Sequence, residues 1–202
     1  MAPHIVASFE AELQKLSAFI VDMGALVGAQ IEHAGEAMRT HDTELANKVI
    51  GTDKLVDDLQ VRIEDLVIQI IAKRHPVAID LRETIATLKI ATDLERIGDL
   101  AKNNAKRVIA LSTFSRPTGI GANLDTLNTR VRVQLSDVMQ AFARRDKALA
   151  HSVWIKDSDI DTLQTALFRE LVTYMMEDPR SIGYCAHLLF CAKNLERIGD
   201  HA

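Results

Sequence analysis

Leu94-Glu95-Arg96-Ile97-Gly98-Asp99 returns letter for letter as Leu195-Glu196-Arg197-Ile198-Gly199-Asp200, 101 positions later in a chain of 202 residues. The chain therefore reads as one unit written twice. An apolar stripe passes through both copies, which places each on an amphipathic helix. There a Glu and an Asp four residues apart project from one face, one turn above the other. Two like charges at that spacing cost an isolated helix roughly 0.2 to 0.5 kcal/mol, so each pair calls for a compensating partner.

Composition agrees with a helical protein. Hydrophobic residues make up 48% and aromatics only 4%, with 9 Gly and 4 Pro. Such a chain, rich in aliphatic helix formers and poor in turn residues, favours packed helices over sheet. The formal net charge of -4 argues against a general affinity for nucleic acid and favours basic surfaces or metal cations as partners. The N-terminus lacks the charged and then apolar pattern of a signal peptide. No apolar stretch approaches the roughly 20 residues of a membrane span. The expected place is the cytoplasm, with any membrane contact made through a partner. Cys185 and Cys191 lie six apart on a helix, facing nearly opposite ways, and read as buried thiols.

Outward from the hexamers, the periodicity predicts six helices. Leu13, Leu16, Ile20, Met23, Val27, Ala34 and Met38 form a seam on a first helix from about Ser8 to Arg39. Asp42 reads as the N-cap of a second helix, which His75-Pro76 stops. Asp80 and Glu83 suggest a capping box for a third helix reaching about Leu111. Ser112 to Asn123 reads as a linker. Its Gly119-Ile-Gly121 is too incomplete to be a nucleotide loop. Helix four carries Leu124, Leu127, Val131, Leu135, Val138 and Phe142. Asp146 opens helix five, which ends at Asp178-Pro179, and helix six runs from about Arg180 to Ala202. The expected fold is all-α, two tandem antiparallel three-helix bundles covering 1–112 and 124–202 and joined by 113–123. The third helix continues a dozen residues past Asp99 and the sixth ends two residues after Asp200, so the second repeat reads as truncated.

A second acidic pair also recurs, as Asp53 and Asp57 on the second helix and Asp157 and Asp161 on the fifth. Asp53 precedes Pro76 by 23 residues and Asp99 follows it by 23, so a hairpin of the two helices brings the pairs to a similar height. Within their own helices Asp99 has Arg96 and Lys102 nearby, Asp57 has Lys54, Glu196 has Lys193 and Asp200 has Arg197. Asp53, Glu95, Asp157 and Asp161 have no cation three or four residues away. Solvated acidic faces are common, yet four like-charge pairs at matching places favour cation binding. Converging carboxylates offer hard oxygen ligands suited to magnesium, manganese, calcium or iron, with zinc less natural. His201 is a further nitrogen ligand in principle, but its counterpart is Leu100, which favours an ordinary surface histidine. Gly98 and Gly199 each cost about 1 kcal/mol of helix stability relative to Ala, which close helix approach or ligand access beside the acids would explain.

This arrangement, two three-helix repeats with acidic pairs on the second and third helices and a doubled Leu-Glu-Arg-Ile-Gly-Asp, resembles the PhoU family of phosphate transport regulators over nearly the whole chain. The resemblance implies multinuclear iron or zinc clusters, or magnesium or manganese in some members. The acids at the matching positions are Asp53, Asp57, Glu95 and Asp99, then Asp157, Asp161, Glu196 and Asp200. It further implies a cytoplasmic, often dimeric, non-enzymatic protein. Such a protein restrains the phosphate-starvation response and high-affinity phosphate uptake by linking the ATPase subunit of a phosphate ABC transporter to a membrane sensor histidine kinase.

Other classes fit less well. A ferritin-like di-iron oxidase needs Glu-x-x-His on two helices, and none of the seven histidines has a Glu three residues before it. Cys185, His187 and Cys191 sit in an apolar run and read as core rather than as nucleophile and base, as do Trp154 and Met175-Met176 rather than as a cofactor box. A metal-free helical adaptor, or an accessory protein of a phosphate permease docking partners through its acidic face, is the alternative.

Overall fold

A computed structural model describes residues 3–114 and 120–202. Six α-helices run in order: α1 (Pro3–Thr40), α2 (Thr43–Arg74), α3 (Ala78–Leu111), α4 (Ala122–Arg144), α5 (Lys147–Glu177) and α6 (Ile182–His201), the last preceded by a 3₁₀ turn at Pro179–Ser181. No strand occurs among the described residues. Each group of three is an antiparallel bundle with tight connections, as the periodicity predicts.

The helix starts explain the doubling locally. Asp42 caps α2 by accepting hydrogen bonds from the backbone N–H of Glu44 and Leu45, both at 2.9 Å. Asp146 caps α5 in the same way, accepting from Ala148 and Leu149 at 3.0 Å. The residue before each cap is left-handed, His41 at φ 58° and Arg145 at φ 53°, so the α1–α2 and α4–α5 turns are one structure made twice. His75, also left-handed at φ 48°, ends α2 just before Pro76. The expected capping box at Asp80 and Glu83 does not form. Helix α3 starts three residues earlier, after an extended Val77 that makes no side-chain cap. Asp80 is left inside the first turn, where its charge suits the helix dipole, and Glu83 pairs instead with Arg145. Residues 115–119, which include Gly119 of the expected linker, lie outside the described residues.

The seam of α1 is buried as its spacing requires: Leu16, Ile20, Met23, Val27, Ile31 and Ala34 are each at most 3% exposed. Leu13 and Met38 pack at its edge. The two bundles share their interior. One cluster of buried apolar side chains takes in Met23, Ile63 and Ile97 from the first repeat and Leu127, Leu167 and Leu195 from the second, with α1 packed on α4 and α3 packed on α6. Polar contacts pin this seam. Asn194 Nδ2 donates to Asn104 Oδ1 at 2.8 Å, and Asn104 Nδ2 donates to the Cys191 carbonyl at 3.4 Å. The Arg107 guanidinium lies over the Phe190 ring, 4.2 Å from its centroid.

Cys185 and Cys191 are unpaired and buried within α6, as expected of core thiols. Trp154 departs from expectation: it is 73% exposed on α5, and Met176 is 79% exposed, while Met175 packs against the core. Helix α5 covers only one side of the second repeat, so half of its apolar residues face outward.

Candidate metal centres

Helices α2 and α3 pack as an antiparallel pair, as do α5 and α6, and this packing brings each set of four carboxylates to one place. In the second repeat Asp161, Glu196 and Asp200 offer oxygens that all lie within 4.8 Å of one another. Glu196 Oε1 accepts a hydrogen bond from Lys193 at 2.6 Å, while its Oε2 is buried with no partner among the described residues. Burial, followed by the charges of Glu196, Asp157 and Asp161, pushes the Asp200 carboxyl above the usual aspartate range against the pull of Lys193. Asp200 therefore feels the charge of all three other acids of this set, although Asp157 turns aside to accept a hydrogen bond from Gln134 Nε2 at 3.0 Å.

In the first repeat the acids lie near enough to feel one another's charge, but no three of them bring oxygens as close together as the second repeat's trio does. Burial first, then Asp53 and Asp99, raise the Asp57 carboxyl, with Lys102 opposing. Glu95 is raised by burial, by the charge of Asp99 and a hydrogen bond with it, and by Asp57 and Asp53. Asp53 is only 6% exposed. Its cation is Lys102, whose ammonium donates to both Asp53 and Asp99 and so ties α2 to α3. Burial alone would lower the Lys102 ammonium, but its bonds to the two aspartates outweigh this and hold it well above the ordinary lysine value. Asp53 has no cation on its own helix, as expected; it borrows one across the bundle. Arg96 turns to Asp93 at 3.9 Å rather than to Asp99.

Two residues that sequence reasoning passed over sit behind the acids. Gln30 of α1, 1% exposed, and Gln134 of α4, 9% exposed, interrupt otherwise apolar seams and stand 104 positions apart, the spacing that also relates Asp53 to Asp157. That shared interval was the available signal. Both glutamines press on the glycines of the repeated hexamer. A Cβ on Gly98 would come 3.1 Å from Gln30 Oε1, and one on Gly199 would come 3.3 Å from both Gln134 Oε1 and Asp157 Oδ1. Close approach of the neighbouring helix beside the acids thus accounts for glycine at these sites.

His201 stands apart from the carboxylate set: its Nδ1 lies 3.1 Å from Asp93 Oδ1 of α3, across the seam. Burial, with a smaller effect of Arg107, lowers the His187 imidazole. Burial also pushes the Cys191 thiol up to about 12, which leaves it protonated and unreactive. A cavity of about 320 Å³ lies away from the acids, between α1, α3, α4 and α6, and is walled by Met38, Asn104, Leu124, Tyr184 and Leu188 among others.

A family model described as PhoU domain matches residues 20–108 and again 124–202, the two repeats seen in the structure. The chain is 47% identical over 199 residues to a protein of Rhizobium meliloti named phosphate-specific transport system accessory protein PhoU homolog, covering 98% of this chain and 84% of that one. It is 39% identical over 198 residues to the phosphate-specific transport system accessory protein PhoU of Escherichia coli, covering 98% and 81%. Its fold is similar to the crystal structure of PhoU from Pseudomonas aeruginosa, with a TM-score of 0.92 and 38% identity over 96% of this chain and 92% of that one. The phosphate transport system regulatory protein PhoU from Streptococcus pneumoniae superposes with a TM-score of 0.87 at 28% identity.

Proposed function

The chain belongs to the PhoU family, and from that premise we propose that it is a non-enzymatic regulator of phosphate transport. It holds metal on the acidic faces of its two repeats and works at the cytoplasmic side of a phosphate transport system. No helix among the described residues is long and apolar enough to cross a membrane, which suits contact with the membrane through partners. The partners are the ATPase subunit of a phosphate ABC transporter and a sensor histidine kinase. By joining them as a homodimer the protein restrains both high-affinity uptake and the phosphate-starvation response.

The observation that carries the metal reading is the Asp161, Glu196 and Asp200 trio, with three carboxylates drawn within reach of one ion and a buried Glu196 oxygen that has no partner among the described residues. Like charges so placed repel, those around Asp200 raise its carboxyl, and a hard cation is the chemistry that relieves them. These residues with Asp157 would hold the second centre, and Asp53, Asp57, Glu95 and Asp99 the first. Iron or zinc in a multinuclear cluster is the family's pattern, and the oxygen donors equally suit magnesium or manganese. A bound metal supplies charge neutralisation and a crosslink between neighbouring helices. The chain's own part is to fix the height of the acids through the α2–α3 and α5–α6 pairing, and to aim Asp157 through Gln134.

Metal content by plasma mass spectrometry, on protein purified without chelator, tests this reading. Wild type should carry several equivalents of iron, zinc or manganese. The variant with Asp161, Glu196 and Asp200 changed to Ala should lose those of the second centre, and the one with Asp53, Asp57, Glu95 and Asp99 changed to Ala those of the first. A metal-free wild type that cannot be reloaded would sink it. That result would favour the second reading, an adaptor docking basic surfaces. The observation on its side is Lys102, which shows that a protein ammonium already fits between Asp53 and Asp99.

A further inference from the structure

The two acidic centres are built from corresponding residues and hold their first aspartate differently. In the second, the Gln134 amide donates to Asp157 Oδ1 at 3.0 Å and to the Gly199 carbonyl at 3.4 Å. In the first, Asp53 is bonded by Lys102, which also bonds Asp99. Gln30, 1% exposed, has no partner for its Nε2 among the described residues, which is where it differs from Gln134, since the Oε1 atoms of both glutamines are unsatisfied. Gln30 stands where Gln134 stands, against the glycine of its own hexamer. Its natural acceptor by that correspondence is Asp53 of α2, whose carboxylate is bonded by the Lys102 ammonium of α3. A buried amide with no partner is costly, and a fold retains one most readily when a second state of the same site satisfies it.

We infer that Lys102 and Gln30 compete for Asp53. In one state Lys102 acts as an internal cation that closes the first centre. In the other a divalent cation displaces the ammonium, and Asp53 turns back to accept from the Gln30 amide as Asp157 does from Gln134. The exchange balances sensibly in charge, because a single-charge ammonium leaves four clustered carboxylates and a double charge replaces it. Lys102 has a way out: its side chain is 20% exposed, on a flexible four-carbon stem whose head hydrates readily. The first centre is then regulated by its own lysine and takes metal less readily than its carboxylates alone would. This rests on the metal-binding reading above, but one arm of its test does not.

The experiment follows the side-chain amides of the ¹⁵N-labelled full chain by NMR, with Gln30→Met and Gln134→Met assigning the two resonances, alongside zinc titration calorimetry. Without metal, Lys102→Met should move the Gln30 amide toward the hydrogen-bonded position that Gln134 occupies. Lys102→Gln, which keeps a polar head and guards against a folding defect in the methionine variant, should move it the same way. Zinc added to wild type should produce the same shift. In a background with Asp161 and Asp200 changed to Ala, so that only the first centre reports, Lys102→Met should tighten zinc binding by about tenfold or more. A Gln30 amide that stays in place in both lysine variants overturns the competition. So does zinc affinity that is unchanged or weaker. Zinc that binds neither centre in any variant overturns metal displacement together with the reading beneath it, and the metal-free shift of Gln30 still decides whether the lysine and the amide share Asp53.

Discussion

Asp57, Glu95 and Asp200 give the protein an unusual response to acid. Each carboxyl is held above its ordinary value, in every case first by burial and then by neighbouring carboxylates. A group raised in the folded state keeps its proton more tightly there than in the unfolded chain. Its stabilising effect is therefore fully present below the unfolded pKa and is lost as pH rises through the folded one. Glu12, lowered chiefly by its hydrogen bond from Arg74, acts in the opposite sense, and its effect disappears only as pH falls below the ordinary carboxylate range. His187, lowered by burial, favours the folded state more as pH rises through its ordinary value, so the acids are isolated in a His187→Gln background. In chelated buffer the melting temperature of that variant should fall on going from about pH 5 to about pH 7, and adding Asp57→Asn with Glu95→Gln should flatten that slope. A melting temperature that rises over the interval in the His187→Gln background would mean that the acids do not crowd one another as described. Some of this was readable in advance. The intervals among the eight acids, together with the proline between α2 and α3, set their heights without any coordinates. The pairing of Lys102 with Asp53 was not readable, because it joins residues 49 positions apart and depends on the rotation of α2 against α3, which no local spacing encodes.

Of the helices, α2 and α5 show most plainly how local chemistry repeats. Both begin at an aspartate that accepts two backbone N–H groups and follows a left-handed residue. Asp42→Ala or Asp146→Ala should each cost about 1 kcal/mol, which for a chain of this size is a drop of about 2 to 4 °C in melting temperature. Asn at either position should restore most of it, and calorimetry on the four variants is the check. These starts were legible because a cap is decided by three or four adjacent residues. Helix α3 was misjudged at its start for a related reason. Asp80 and Glu83 have the letters of a capping box, but Glu83 is engaged by Arg145 from the other repeat, and the helix begins at Ala78 instead. The exposure of Trp154 was equally hidden, since apolar periodicity on α5 says which residues share a face but not whether a neighbour covers it. Gln30 and Gln134 were missed because a single polar residue in an apolar stripe looks like noise until its counterpart is found at the same interval as the acids.

Taken together, the repeats are more closely joined than two bundles in tandem need be. Buried side chains of all six helices form one contiguous interior, and the surface that α1 and α3 present to α4 and α6 would be bare apolar area in an isolated first repeat. The chain should thus unfold as one cooperative unit. Amide hydrogen exchange in the middle of α1 and in the middle of α6 should report the same opening free energy, shifting together in denaturant. Separate values for the two helices would show that each repeat keeps its own interior. The Asn104–Asn194 contact gives this union a mechanical character. It acts as a key in a slot: sliding α6 along α3 by one turn, about 5.4 Å, would part the two side-chain amides and take Asn104 Nδ2 from the Cys191 carbonyl. Axial slip between the repeats is therefore opposed by these contacts, while flexing and torsion leave them in place. A load applied to one repeat therefore passes to the other as a bend or a twist about a fixed register.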